Sequence, residues 1–274
     1  MDNNIILVEE NEDKTITTIR LNRLAKKNAM NYEMIVAFEK ALDQIERSNT
    51  RVVIITGSEE IFSAGIDLNF LTGQEKDPEG VIPDLKIPRN FRYFMNTRLH
   101  TVFTKIEKME KPVIAKIDGY CLGMGFELAL ACDFRFCRDS AIFSLLETKM
   151  SINPDVGGTI RLTRLAGIQN AKDIILTGRE FDGNEAYRLR VVNRVAKTPD
   201  ELDSIIKMYT DELIESGPLG IGLAKKLIDD CYGKDVAFGL ELETLISSQL
   251  LQTKDTVGGA LARLQKTKPK WRWK

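Results

Sequence analysis

The segment Gly123-Met124-Gly125-Phe126-Glu127 opens a run of helix formers, with the turn Ser63-Ala64-Gly65-Ile66-Asp67 upstream of it and a second carboxylate, Glu147, downstream. The first amides of a helix have no acceptor within it and lie at the positive end of its dipole. Donors of this kind can hold charge that develops on a carbonyl oxygen, at roughly 3–4 kcal/mol per donor. Two acids beside that oxygen could move protons. Residues of these types suit an enzyme working next to a carbonyl.

Plainer readings stand beside this one. The small-small-Gly turn at Gly65 lets a ligand approach the backbone, and it is also an ordinary turn. Glu127 could simply favour the helix dipole. Glu147 follows the apolar stretch 141–146 and is either exposed at its end or held in a poorly hydrated place with a raised pKa. Only the second placement makes a proton donor near neutral pH. A dinucleotide fingerprint is excluded, because its third glycine would fall on Leu128.

The elements that must position these residues are legible from periodicity. Apolar runs predict strands over 5–8, 15–21, 52–57 and 113–117. Met34, Ile35, Phe38, Leu42 and Ile45 fall on one face of a helix over 31–47, and a further helix is expected over 125–131. Alternation of this kind argues for an α/β fold. Beyond residue 198 only helical patterns occur, over 199–216, 218–229, 236–252 and 255–265. This divides the chain into an α/β core, 1–198, and a helical C-terminal subdomain, 199–274. The polar stretch 72–88, with Gly73, Pro78, Gly80, Pro83 and Pro88, is expected to be a long loop.

Composition narrows the function classes. The 274 residues are 43% hydrophobic, enough for a substantial core, and 39 Lys and Arg balance 40 Asp and Glu. No net field points to nucleic acid or to a membrane surface. The basic tail Lys266 to Lys274 is the one local asymmetry. Cys121, Cys132, Cys137 and Cys231 have no metal-site spacing and His100 is the single histidine, so no metal is expected and the thiols are read as reduced and mostly buried. The N-terminal residues have no leader pattern and no run reaches membrane-spanning length, which gives a cytoplasmic expectation.

Several segments in fixed order resemble the crotonase superfamily, the enoyl-CoA hydratases and isomerases. They are Leu21-Asn22-Arg23, Asn28-Ala29-Met30, Phe62-Ser63-Ala64-Gly65-Ile66-Asp67-Leu68, the stretch 119–133, Asn153-Pro154-Asp155-Val156-Gly157-Gly158-Thr159 and Leu162-Thr163-Arg164-Leu165-Ala166-Gly167. The match runs collinearly from about Ile16 to Val195, with a weaker helical tail. The resemblance implies a crotonase-like spiral of repeated ββα units, with a C-terminal helical region that forms a homotrimer or a dimer of trimers.

The resemblance also implies roles. The oxyanion hole maps to the backbone N–H groups of Ile66 and Met124, the latter commonly glycine in the family. The two hydratase acids map to Glu127 and Glu147. With an acyl-CoA thioester as substrate, water would add syn to a 2-enoyl-CoA, and coenzyme A enters as part of the substrate, with no cofactor. Asp155 departs from the glycine usual in hydratases and resembles the aspartate of dienoyl-CoA isomerases, which makes a double-bond isomerase using Glu147 and Asp155 the alternative. A helix cap over 156–165 is the plain reading of Asp155. The region 91–111 also has a dienoyl-isomerase look.

Coenzyme A contacts map to Lys26, Lys27, Ala64 and Asp67, and Lys266 resembles a family lysine that crosses a subunit boundary. Arg263 stands where an aromatic residue is usual. A non-catalytic acyl-CoA-binding subunit on the same scaffold is a third reading, against which the retained acids argue. His100 is read as a surface or packing residue, and Trp271 and Trp273 as packing the tail.

Overall fold

The computed structural model describes residues 4–75 and 80–273. Pro78 of the expected loop, the first three residues and Lys274 lie outside the described residues. The strands are β1 (Ile6–Glu10), β2 (Ile16–Leu21), β3 (Val52–Thr56), β4 (Ile61–Ser63), β5 (Val113–Ile117), β6 (Tyr120–Leu122), β7 (Phe134–Arg138), β8 (Ile142–Ser144), β9 (Phe181–Asp182) and β10 (Arg194–Ala196). They form two sheets, of order β1-β2-β3-β5-β7-β10 and β4-β6-β8-β9.

The two sheets grow together by a repeated step. The chain adds one strand to the large sheet, crosses a short connection, adds one to the small sheet, then runs into a helix or turn. This happens at β3 and β4, at β5 and β6, and at β7 and β8. Within each sheet these strands are parallel, and only β1 and β9 pair antiparallel with their neighbours. The expected ββα spiral is therefore present. Because β4, β6 and β8 are parallel and adjacent, their C-terminal ends lie side by side at one edge.

The large strands are buried on both faces and read as continuous apolar runs, such as Val52 to Ile55 and Val113 to Ala115. On one side lies the helix Tyr32–Glu46, capped by the Asn31 side chain and buried through Met34, Ile35, Phe38, Leu42 and Ile45, the face the sequence marks. On the other side, Leu202 and Ile206 of the helix Pro199–Glu215 pack against Val52, Ile114 and Phe136. The helices Pro218–Cys231, Val236–Leu250 and Lys254–Leu264 follow, within two residues of the expected limits.

Residues 80–87 have neither helix nor strand, as expected of the loop, but Pro88 begins a helical rod. This rod continues as an α-helix to Phe94, a π turn over Met95–Leu99 and an α-helix over His100–Lys108. The short strands β4, β6, β8 and β9, of two or three residues each, escape periodicity because so few residues show no alternation.

The corner between β5 and β6 shows how tightly the spiral is wound. Gly119 has φ +64°, and a methyl group there would collide with the Glu60 carbonyl. Gly119→Ala is expected to lower stability by at least about 2 kcal/mol in urea denaturation. A change below about 0.5 kcal/mol would contradict this corner.

Candidate active site

Three chain crossings converge where the parallel strands of the small sheet end. After β4 comes the turn 64–67, after β6 the start of the helix Met124–Ala131, and after β8 the short turn Glu147–Met150. Gly65 has φ +96°, and a methyl group on it would sit 2.9 Å from the Leu122 carbonyl oxygen and 3.2 Å from the Met124 nitrogen. Only glycine lets the two backbones meet so closely. Gly125 does the same for helix against strand, since a Cβ there would be 2.6 Å from Ser63 Cβ.

This close crossing leaves two amides in a common opening. The Gly65 carbonyl and the Asp67 N–H bond to Met30 at 2.7 and 2.9 Å, so the intervening Ile66 N–H points the other way. Met124 is the first residue of its helix and has no acceptor within it. Among the described residues neither N–H has a hydrogen-bond acceptor in the protein.

Ile66, Met124 and Glu147 line two cavities at once. The outer one, of about 420 Å³, is also lined by Lys26, Lys27, Ala64 and Asp67. The inner one, of about 40 Å³, is walled by Phe70, Phe91, Phe94 and Leu99 and reaches Glu127 and Asp155. The neck between the two cavities has a basic rim on one side and an apolar end on the other.

The helix Met124–Ala131 is buried at every residue. Phe126 packs its ring 5.3 Å from Phe143 and 5.9 Å from Phe181, which anchors the helix on β8 and β9. Glu127 is consequently 1% exposed, and its Oε1 accepts hydrogen bonds from the Val156 and Gly158 amides at 2.9 and 2.8 Å. Burial, and then the charge of Glu147, raise its pKa to about 8 against the pull of those amides. Glu147 is also buried, and burial raises it to about 7. Its Oε2 has no hydrogen-bond partner.

Asp155 is half-buried on the inner cavity, and burial raises its carboxyl too. Asp155 is not the helix cap that the sequence allowed it to be. The helix begins at Gly158, its cap residue is Gly157, and no side chain caps it. Asp155 stands outside that end and faces the two glutamates' cavity.

Asp67 lines the outer cavity with its carboxylate already committed. It caps the helix Leu68–Leu71 and meets Arg23 Nη1 at 2.6 Å. Burial opposes its ionisation, but the Arg23 guanidinium and the Asn69 amide outweigh this and hold it below the usual range. Lys26 and Lys27 are exposed, on a turn tied to the site because Lys27 O accepts the Ala64 amide. Lys266 is not brought to this site within the chain. It lines a separate cavity with Arg51, Glu215 and Trp271.

In the tail, Trp271 is half-buried and Trp273 is exposed. Trp271 lies against Gly217 and Gly259, and Trp273 lies under Lys111 and Arg51, while Asp255 accepts the Arg272 and Trp273 amides. All four thiols are free and three are buried. Among the described residues no group of three or more His, Cys, Asp and Glu side chains is placed to hold a metal, and no helix is long and apolar enough to cross a membrane.

His100, expected from the sequence as a surface or packing residue, is half-buried with its Nε2 2.6 Å from the Asp155 carbonyl oxygen, and the Arg161–Glu107 pair lies behind Val156. These contacts span 54 or 55 residues, and no local pattern signals them.

Burial of Glu147 has a sign that can be tested. Its carboxyl titrates higher folded than at its ordinary value of 4.5, so the folded state binds the proton more tightly. Stability associated with that proton is full below pH 4.5 and is lost as pH rises through about 7. Relative to wild type, Glu147→Gln should gain about 2–4 °C in melting temperature between pH 5 and pH 8.5. An offset that does not change with pH would refute the raised carboxyl.

Comparisons with known proteins give the family. The family model described as enoyl-CoA hydratase/isomerase matches residues 11–274. A probable mitochondrial enoyl-CoA hydratase 2 of Arabidopsis thaliana is 36% identical over 259 residues, covering 94% of this chain and 81% of that one. A peroxisomal Delta(3,5)-Delta(2,4)-dienoyl-CoA isomerase of the same plant is 29% identical over 266 residues, covering 97% and 95%. The crystal structure of an enoyl-CoA hydratase from Bacillus anthracis superposes with a TM-score of 0.87 at 32% identity, covering 98% of this chain and all of that one. A match across nearly the whole chain, on a fold that carries buried acids beside two free amides, places this protein in the enoyl-CoA hydratase/isomerase family of the crotonase superfamily.

Proposed function

We propose that the protein is an enoyl-CoA hydratase, adding water across the C2–C3 double bond of a 2-enoyl-CoA to give a 3-hydroxyacyl-CoA. The observation that carries this reading is the neck formed by Ile66, Met124 and Glu147, where two amides without acceptors face a pair of buried carboxylates.

In this reading the thioester oxygen accepts from the Ile66 and Met124 amides, which stabilise the enolate as water attacks C3. Glu127 takes the proton from water and Glu147 gives one to C2. Two carboxyls in one dry pocket titrate as a pair, and near neutral pH they share a proton. Two amide donors on Glu127 Oε1 favour the anion there, and the unpartnered Glu147 Oε2 is free to carry the proton. Although Glu127 is raised further than Glu147, part of that rise is the charge of Glu147 itself, and it vanishes once Glu147 holds the proton. Both acids on one side of the substrate give syn addition, and the step balances without metal or redox cofactor.

Coenzyme A would occupy the outer cavity, with Lys26 and Lys27 toward its phosphates and Ala64 and Asp67 along its stem. Assembly as a trimer or dimer of trimers, through the 199–274 region, belongs to the same reading. Apolar Phe238, Leu245, Leu251, Val257 and Leu264 are at least half exposed on a single chain. Lys266, remote from its own chain's outer cavity, would then serve a neighbouring copy. Cytoplasmic residence is also part of the proposal, in keeping with the free thiols.

A specific observation favours a second reading. Asp155 faces the inner cavity with Glu127 and Glu147, an arrangement that could move a proton between carbons of a dienoyl-CoA. Purified protein should hydrate crotonyl-CoA, and Glu127→Gln should lower kcat by about 10²–10⁴-fold. If wild type leaves 2-enoyl-CoAs unhydrated but shifts the double bonds of a 3,5-dienoyl-CoA, and Asp155→Asn abolishes that shift, the isomerase reading replaces the first.

A further inference from the structure

The carboxylate of Glu127 is held by a peptide unit that is itself held from behind. The amide of Val156 donates to Glu127 Oε1 at 2.9 Å, and the carbonyl of the same peptide group, that of Asp155, lies 2.6 Å from His100 Nε2. A carbonyl can only accept, so Nε2 carries the hydrogen. The result is a chain of two hydrogen bonds through one peptide, from imidazole to carbonyl and from amide to carboxylate. Hydrogen bonds in such a chain polarise one another.

We propose that His100 is a positioning residue for Glu127, acting through the Asp155–Val156 peptide to orient and strengthen the amide that holds the carboxylate. Its own helix supplies a second anchor. Glu107, two turns further along His100–Lys108, forms a two-point pair with Arg161 at 2.8 and 2.8 Å, and Arg161 Nη1 donates to the Val156 carbonyl at 2.7 Å. Successive carbonyls of the loop are thus held, that of Asp155 by His100 directly and that of Val156 by Arg161 of the helix Gly158–Thr177, which Glu107 orients. Gly157 provides the room, because with φ +102° a side chain there would collide with the Arg161 guanidinium.

His100 is the chain's single histidine and lines neither cavity, standing behind the wall residue Asp155, so in this proposal it transfers no proton to substrate. The ionisable groups around the relay are Glu147 and Asp155 facing Glu127, Asp155 facing His100, and the Arg161–Glu107 pair beyond Val156. Removing the imidazole weakens a donor that favours the Glu127 anion, so the carboxyl should titrate higher.

The kinetic arm of the test rests on the hydratase reading, and the spectroscopic arm does not. His100→Leu removes the donor, while His100→Gln restores one of similar reach without the ring. With crotonyl-CoA, His100→Leu should lower kcat roughly fivefold, the loss of about one net hydrogen bond, with little change in KM. The acid limb of its pH profile should move up by about half a unit, and His100→Gln should recover most of both.

Independently, ¹³C labelling of glutamate carboxyls, with the Glu127 signal assigned by its loss in Glu127→Gln, should show the Glu127 midpoint rise in His100→Leu and return in His100→Gln. Should wild type prove inactive on every enoyl-CoA, the function reading fails and the carboxyl titration still decides this one. A midpoint unmoved by His100→Leu in folded protein, or equal defects in the Leu and Gln variants, would overturn the positioning role.

Discussion

The arrangement depends on one backbone contact, the crossing of the turn at Gly65 over the helix start at Gly123. A side chain at Gly65 would strike the Leu122 carbonyl, and one at Gly123 would stand 3.0 Å from Glu147 Oε1. With neither present, the two turns approach until the Ile66 and Met124 amides share one opening. The parallel small sheet makes the crossing possible, because it delivers β4, β6 and β8 to the same edge, with a register shift between Ile61 and Ser63 of β4. Ligand sites at the carboxyl ends of parallel strands are a general outcome of such topologies.

A second consequence is the dryness of the acids. A helix buried on all sides carries Glu127 into the core, and the turn after β8 carries Glu147 to the same cavity. Buried carboxylates cost stability when ionised, and an oxygen without a partner, as at Glu147 Oε2, adds to that cost. The large apolar core around the spiral offsets it. Such poorly hydrated, like-charged groups are characteristic of sites that handle protons near neutral pH. The inner cavity is walled by the rod that starts at Pro88, and that rod also fixes the loop behind Glu127 through His100 and Glu107.

Legibility in the sequence followed the range of the interactions. The helix over 31–47 and the C-terminal helices were readable because a long amphipathic face repeats its signal over several turns. Glu127 and a free amide at the helix start were readable because glycine, helix start and acid are close together along the chain, while the family resemblance assigned that amide to Met124. Strands of two or three residues carry no periodicity, so the small sheet that organises the site was invisible except through the family resemblance. Asp155 was ambiguous for the same reason, since the choice between capping and cavity turns on where the helix begins, three residues later at Gly158. His100 offered nothing local, because its meaning lies in a carbonyl 55 residues away.

The central claim is that the Ile66 and Met124 amides form one receptor for a thioester oxygen, with Glu127 and Glu147 on the same side of the bound acyl group. A crystal structure with a stable 3-oxoacyl-CoA bound tests it most directly. The account predicts the thioester oxygen within about 3 Å of both nitrogens, the acyl carbons beside the two carboxyls, and the phosphates toward Lys26 and Lys27. A ligand whose thioester meets neither amide, or whose acyl carbons point away from Glu127 and Glu147, would contradict it.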